Sequence, residues 1–218
     1  MQTVVQDAQK PRLRGVSHQV AFFVVTVAGP LLVVRAPDAG TRTALTVYSL
    51  SLAGLFGCSA LLHRGTWSPS ALQHVRRLDH AMIYVFIAGT YTALIGLALP
   101  DQVVPVLVIV WVGALAGAAF QLLWIDAPRW LTAGSYVALG WVAVFVLPDL
   151  LRELGAVGFG LVVAGGVLYT AGALVYAAKE PNPWPDVFGF HEVFHALVVA
   201  AVICHYVAVA FWAIPAAA

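Results

Sequence analysis

The chain has 218 residues, of which 61% are hydrophobic and only 10% charged. A water-soluble domain carries about 25% charged residues, so this chain lacks the side chains to cover an aqueous surface and reads as a polytopic membrane protein. Its 11 Lys and Arg against 10 Asp and Glu give a net charge of +1, which offers no basic face to a nucleic acid.

Lys10, Arg12 and Arg14 precede an apolar stretch in the manner of a signal peptide. The stretch 20–34 nevertheless ends at Arg35 without a small-x-small cleavage site. The better expectation is a cytoplasmic N-terminal segment, 1–16, followed by a first transmembrane helix over 17–34. A bilayer core of about 30 Å takes roughly 20 apolar residues in a helix. Six further segments meet or approach that length: 43–62, 78–99, 103–124, 130–147, 155–178 and 190–214. Strands with open edges cannot satisfy their backbone in lipid, so the expected fold is all-α, a seven-transmembrane-helix bundle over 17–214. The breaks between segments are short, and only the sixth, PNPWPD, is proline-rich; it reads as a rigid connector. Gly113 and Gly117, four apart, suit close helix approach, although that spacing alone is a weak signal. Cys58 and Cys204 fall inside apolar runs, which argues against a disulfide framework.

With the N-terminus inside, eight Lys and Arg fall on cytoplasmic segments and three, Arg35, Arg42 and Arg152, on the outside. The positive-inside rule selects that orientation. The natural location is the cell (plasma or inner) membrane.

Ionisable residues within membrane segments are costly and tend to be functional. Here they gather in three places: Ser59 and His63 (SxxxH) ending the second segment, Asp79 and His80 opening the third, and His191 and His195 (HxxxH) opening the seventh. A spacing of four sets each pair on one helical face. In the assigned topology all three clusters share the cytoplasmic membrane depth. Three imidazoles and a carboxylate at one depth suit a catalytic zinc site, which uses three protein ligands and keeps a fourth position open. The expected metal ligands are His63, His191 and His195. Asp79 is the expected acid–base or water-orienting group, and Ser59 a hydrogen-bonder behind the ligands. Taken singly the signals are bland: HxxxH can serve interhelical hydrogen bonding, and Asp79 can pair with Arg76 or Arg77. His80, turned about 100° from Asp79, is expected to be structural or interfacial, and Glu192, with the same offset from His191, to face solvent or another helix. His18 and His74 are expected at the interface, and His205, about 15 Å along the helix from His195, too deep to share the site. Trp67, Trp124, Trp130, Trp184 and Trp212 read as interface anchors.

The segments CSALLH, RRLDHAMIYVFIAGTYT, LYTAGALVYA and FGFHEVFHALVVAAVICHYVAV resemble the hemolysin III family, bacterial relatives of the progestin and adiponectin receptors within a superfamily of membrane metal hydrolases. The resemblance covers residues 15–212. It implies seven helices with a metal near the cytoplasmic side, zinc ligands at His63, His191 and His195, Asp79 at the zinc-bound water, and Ser59 as the family serine. Two functions stay open. One is a zinc-dependent hydrolase acting on an amide or ester of a membrane lipid. The other is a non-enzymatic membrane protein, a hemolysin or a sensor of membrane state, in which zinc is structural. A pore calls for a polar stripe along several helices, and a transporter for broken helices or repeats; the sequence offers neither.

Overall fold

The structure is a computed structural model, and it describes residues 10–217. Of the expected N-terminal segment 1–16, residues 1–9 lie outside the described residues. The described chain is almost wholly helical: α1 Val16–Val34, α2 Ala39–Arg64, α3 Pro69–Ala98, α4 Val103–Leu123, α5 Arg129–Gly140, α6 Leu147–Ala178, α7 Phe190–Ala208 and α8 Ile214–Ala216. Six runs are long and apolar enough to cross a membrane, the fifth being Arg129–Ala178 with 50 residues.

Local chemistry sets several of the ends. Asp38 caps α2, its carboxylate accepting from the Thr41 N–H at 3.0 Å, in the way short polar side chains satisfy a free first-turn donor. Ser68 caps α3 ahead of Pro69, a proline at the first helical position where its missing N–H costs nothing. That signal starts α3 at residue 69 rather than at 78, and the basic stretch holding His74, Arg76 and Arg77 is helical rather than loop. At the other end of the chain, a π-turn over Val209–Ala213 separates α7 from α8. Pro215 follows immediately, and a helix interior cannot hold proline without losing a backbone bond.

The 50-residue run is not a rod. At 1.5 Å per residue it would extend about 75 Å, yet Trp141 Nε1–H donates to Thr170 Oγ1 at 3.0 Å. The Arg129 guanidinium also sits 5.5 Å over the Tyr176 ring. The chain therefore doubles back, and the pairing of Trp141 with Thr170 and of Arg129 with Tyr176 puts the reversal at Gly155 (φ 63°, ψ 177°), which divides α6 into 147–154 and 156–178. A 3-10 turn over Trp141–Val146 lies within the first arm. The expected break at 148–154 is correct in neighbourhood, but its residues stay helical and Gly155 carries the reversal.

Around α3, the most buried of the long helices, pack α2, α4 and α5. Gly117 of α4 lies against the Tyr84 ring, where a Cβ would collide. Tyr84 and Tyr136 pack with ring centroids 4.6 Å apart and planes tilted by 57°, and the Tyr84 hydroxyl shares a 2.6 Å hydrogen bond with Ser135. These contacts tie α3 to both α4 and α5.

Candidate metal centre

The polar end of the bundle is assembled from α1, α2, α3 and α7. Ligand atoms of His63, His191 and His195 all lie within 4.8 Å of one another. His63 Nε2 and His191 Nε2 are 3.1 Å apart. Two imidazole nitrogens on one tetrahedral metal, each at about 2.0–2.1 Å, stand roughly 3.3 Å from each other, so the pair already has the separation that a shared ion requires. His195 is 2% exposed and its Nδ1 has no partner, a buried polar atom that a bonded neighbour would normally satisfy. The three-imidazole donor set thus fits a divalent transition metal.

Asp79 and Ser59 line the same cavity as His191 and His195. Asp79 is 8% exposed. It forms no ion pair among the described residues; Arg76 instead pairs with Asp126 at 3.1 Å. Asp79 thus stands on the cavity wall beside Ser59 and the histidines without a counter-ion among the described residues.

Ser59 bonds a histidine outside the expected ligand set. Its Oγ shares a 2.7 Å hydrogen bond with Nδ1 of His18, and the His18 ring lies flat on His195, with centroids 3.6 Å apart and planes 5° from parallel. His18 is 3% exposed, which corrects its placement at the interface. The cause is the turn before α1. Gly15 adopts φ 75° and its backbone abuts the His63 side chain so closely that a Cβ would collide. That contact draws the start of α1 under the cluster. A glycine ahead of a histidine one turn into the first helix is the signal that could have found it.

Glu192 is also buried, at 3% exposure, rather than facing solvent. It accepts from the Gly189 N–H at 2.8 Å and pairs with Arg14, in the position where a carboxylate serves the free donors of a helix start. Beside it, Arg12 N–H donates to Asp186 O and Leu13 N–H to Val187 O, both at 3.0 Å. Residues 12–15 thus form a strap across the PNPWPD connector and over the histidines. His80 is bonded within the bundle: its Nδ1 meets Gln121 Oε1 at 3.4 Å, and its carbonyl accepts from the Tyr136 hydroxyl at 3.2 Å.

The cavity extends from this cluster between α3, α5, α6 and α7. Beyond the polar residues its walls include Ile83, Ile87, Val137, Ala173 and Val198. Its volume is about 150 Å³, where a single water takes roughly 10–15 Å³ by the same measure. A second chamber of about 100 Å³ adjoins it, sharing Thr90, Tyr91, Gly140, Trp141, Gly166 and His205.

Residues 6–206, which include every residue of the cluster, match the family described as haemolysin-III related. Over its full length the chain is 28% identical to Hemolysin-3 of Bacillus cereus, covering 98% of that protein. It is 28% identical to the Hemolysin-3 homolog of Bacillus subtilis (strain 168), across 91% of this chain and 92% of the relative. Heptahelical transmembrane protein ADIPOR2 of Oryza sativa subsp. japonica is 32% identical across 61% of this chain and 65% of its own. This multi-pass membrane protein belongs to the haemolysin-III-related family.

Proposed function

We propose that the protein crosses the cell membrane seven times with its N-terminus in the cytoplasm, holds one zinc ion through His63, His191 and His195, and hydrolyses an amide or ester bond in a membrane lipid. The doubled-back 129–178 run supports the count, since two arms of a hairpin make two passes. The name of the heptahelical rice relative agrees with it.

The observation that carries the catalytic reading is Asp79: a buried carboxylate without an ion pair among the described residues, on the wall of an apolar cavity shared with the histidines. A buried charge is normally paired, and a purely structural zinc clamp has no use for one that is not. Zinc, when bound, supplies Lewis acidity and brings the pKa of a coordinated water to about 7. The chain's own groups supply the rest. His18 and Ser59 fix the face of His195, as partners of ligating imidazoles fix ring orientation. The apolar walls receive the acyl chain and exclude bulk water. Asp79 takes the proton of the attacking water at a carboxylate oxygen and returns it to the departing amine nitrogen or alkoxide oxygen, so that one water is consumed and an acid and an amine or alcohol are released.

The test combines elemental analysis of purified protein with a screen of lipid amides and esters. About one zinc per chain is expected, as for a single three-histidine site, in both wild type and Asp79→Asn. Hydrolysis should be present only in the wild type. Zinc-loaded wild type that leaves the whole panel intact would sink the hydrolase and leave the clamp.

A further inference from the structure

The junction with the second chamber carries its own polar chemistry, distant from the histidine cluster. His205 is 7% exposed and lines both chambers. Its Nε2 lies 3.0 Å from the Val162 carbonyl oxygen, which can only accept. Neutral His205 therefore carries its proton on Nε2 and presents Nδ1 as a bare acceptor, and Nδ1 has no partner among the described residues. The Nε2–Cδ2 edge of the ring is pressed against Gly165 of α6, which turns Nδ1 away from that helix. Tyr169 lines the cavity with its ring edge-on to His205, centroids 5.4 Å apart. Its hydroxyl is likewise buried without a partner.

Their neighbours behave differently. Thr90 Oγ1 donates to Phe86 O at 3.0 Å. The Tyr91 hydroxyl donates to Gly140 O at 2.6 Å and accepts from the Ala143 N–H. Thr170 Oγ1 donates to Gly166 O at 2.8 Å and accepts from Trp141. Each of these is satisfied within the protein, so the unmet groups are one donor, Tyr169 O–H, and one acceptor, His205 Nδ1. Leaving such groups unmet in an apolar interior costs about 1–3 kcal/mol each.

We propose that the junction of the two chambers, where His205 lines both and Tyr169 lines the first, recognises a hydroxyl group carried part-way along an acyl chain, the hydroxyl donating to His205 Nδ1 and accepting from Tyr169. An alcohol is the one common lipid substituent that does both; a ketone or ether can use only Tyr169. The proposal rests on the reading that an acyl lipid lies in the cavity with its head at the histidines. Ten residues of helix separate His195 from His205, about 15 Å, which is the reach of roughly twelve carbons. The preferred ligand is thus a lipid hydroxylated near the middle of its chain.

The test is equilibrium binding of free fatty acids to the full-length protein in lipid nanodiscs, by displacement of a fluorescent fatty acid. The probes are stearate, stearate with a hydroxyl at about carbon 12 as the helix rise indicates, its keto counterpart, and a 2-hydroxy isomer. The mid-chain alcohol should bind about tenfold tighter than stearate, the scale of one or two buried hydrogen bonds, with the ketone between them and the 2-hydroxy isomer no better than stearate. His205→Phe should lower the alcohol's advantage to that of the ketone, which uses Tyr169 alone. Tyr169→Phe, which removes one oxygen and little volume, should cancel the ketone's advantage and lower the alcohol's. Equal affinities for alcohol and stearate, as expected if a water fills the chamber, would overturn the hydroxyl site and leave the acyl-chain cavity standing. A preference that neither substitution lowers would overturn it too. If no fatty acid binds at all, the cavity reading falls and the hydroxyl site falls with it.

Discussion

The histidine end of the bundle and the wall formed by α5 and α6 are built on opposite terms. At the histidine end neighbouring groups constrain one another: His18 lies on His195 and bonds Ser59, Gly15 abuts His63, and the strap is bonded to the connector and to Glu192. The α5–α6 wall runs through a 3-10 turn and a left-handed glycine. A Cβ added at Gly160 or Gly166 would meet no atom within 4 Å. In its apolar 18-residue stretch 22% of the residues are buried, against 67% in the corresponding stretch of α3. A metal needs ligands held in one geometry by the groups behind them, whereas a cavity for a long apolar ligand needs a wall that can yield. The two regions meet along the cavity, with the fixed chemistry on one side and the adaptable surface on the other.

The largest effect that tests this contrast is loss of metal. His191→Ala combined with His195→Ala should lower zinc from about one per chain, the stoichiometry of a single site, to background by elemental analysis. The helical circular dichroism should stay unchanged. Retention of zinc would mean that these imidazoles are packing groups. His18 gives the next step. His18→Ala removes both the stack on His195 and the bond to Ser59, and should weaken zinc binding about 10–100-fold, the usual cost of losing an outer partner. His18→Phe keeps a flat ring on His195, so in chelator competition it should remain close to wild type. Equal behaviour of the two variants would show that the stack does not hold His195 in place.

His63, His191 and His195 were legible because their argument needs only spacing and membrane depth. Two histidines four apart share a face whatever surrounds them, and the converging depths survive errors of a few residues in each helix end. His18 was not legible, because its burial depends on a left-handed turn at Gly15 and on how α1 meets α7. Glu192 was missed for a related reason: its partner Arg14 lies in the strap, which no periodicity places. The early start of α3 was written in Ser68-Pro69, a capping signal that hydropathy passes over. Similarly, apolar character alone could not divide 129–178 between regular helix, 3-10 turn and the reversal at Gly155.

Glycine substitutions sharpen the same comparison at smaller scale. Gly117→Ala drives a methyl into the Tyr84 ring, at the junction of α3 and α4. It should cost about 2 kcal/mol, typical of overpacking in a filled interior, seen as reduced thermal stability in detergent. On the wall, Gly160→Ala meets open space and should be neutral or stabilising by up to about 1 kcal/mol, the difference in helix propensity. Equal losses at the two sites would contradict the difference in packing.

Gly155 separates space from backbone conformation. A Cβ there has no atom within 4 Å, as at Gly160, but φ is 63°. Gly155→Ala should therefore lose about 1–3 kcal/mol, the cost of holding an L-residue at positive φ with extended ψ, a region almost exclusive to glycine, even though no described atom stands in its way. The pair Gly155→Ala and Gly160→Ala, compared in one thermal assay, isolates that conformational cost. If both variants are as stable as wild type, residue 155 does not hold a positive φ, and the reversal between the two arms of 129–178 is made at neighbouring residues instead.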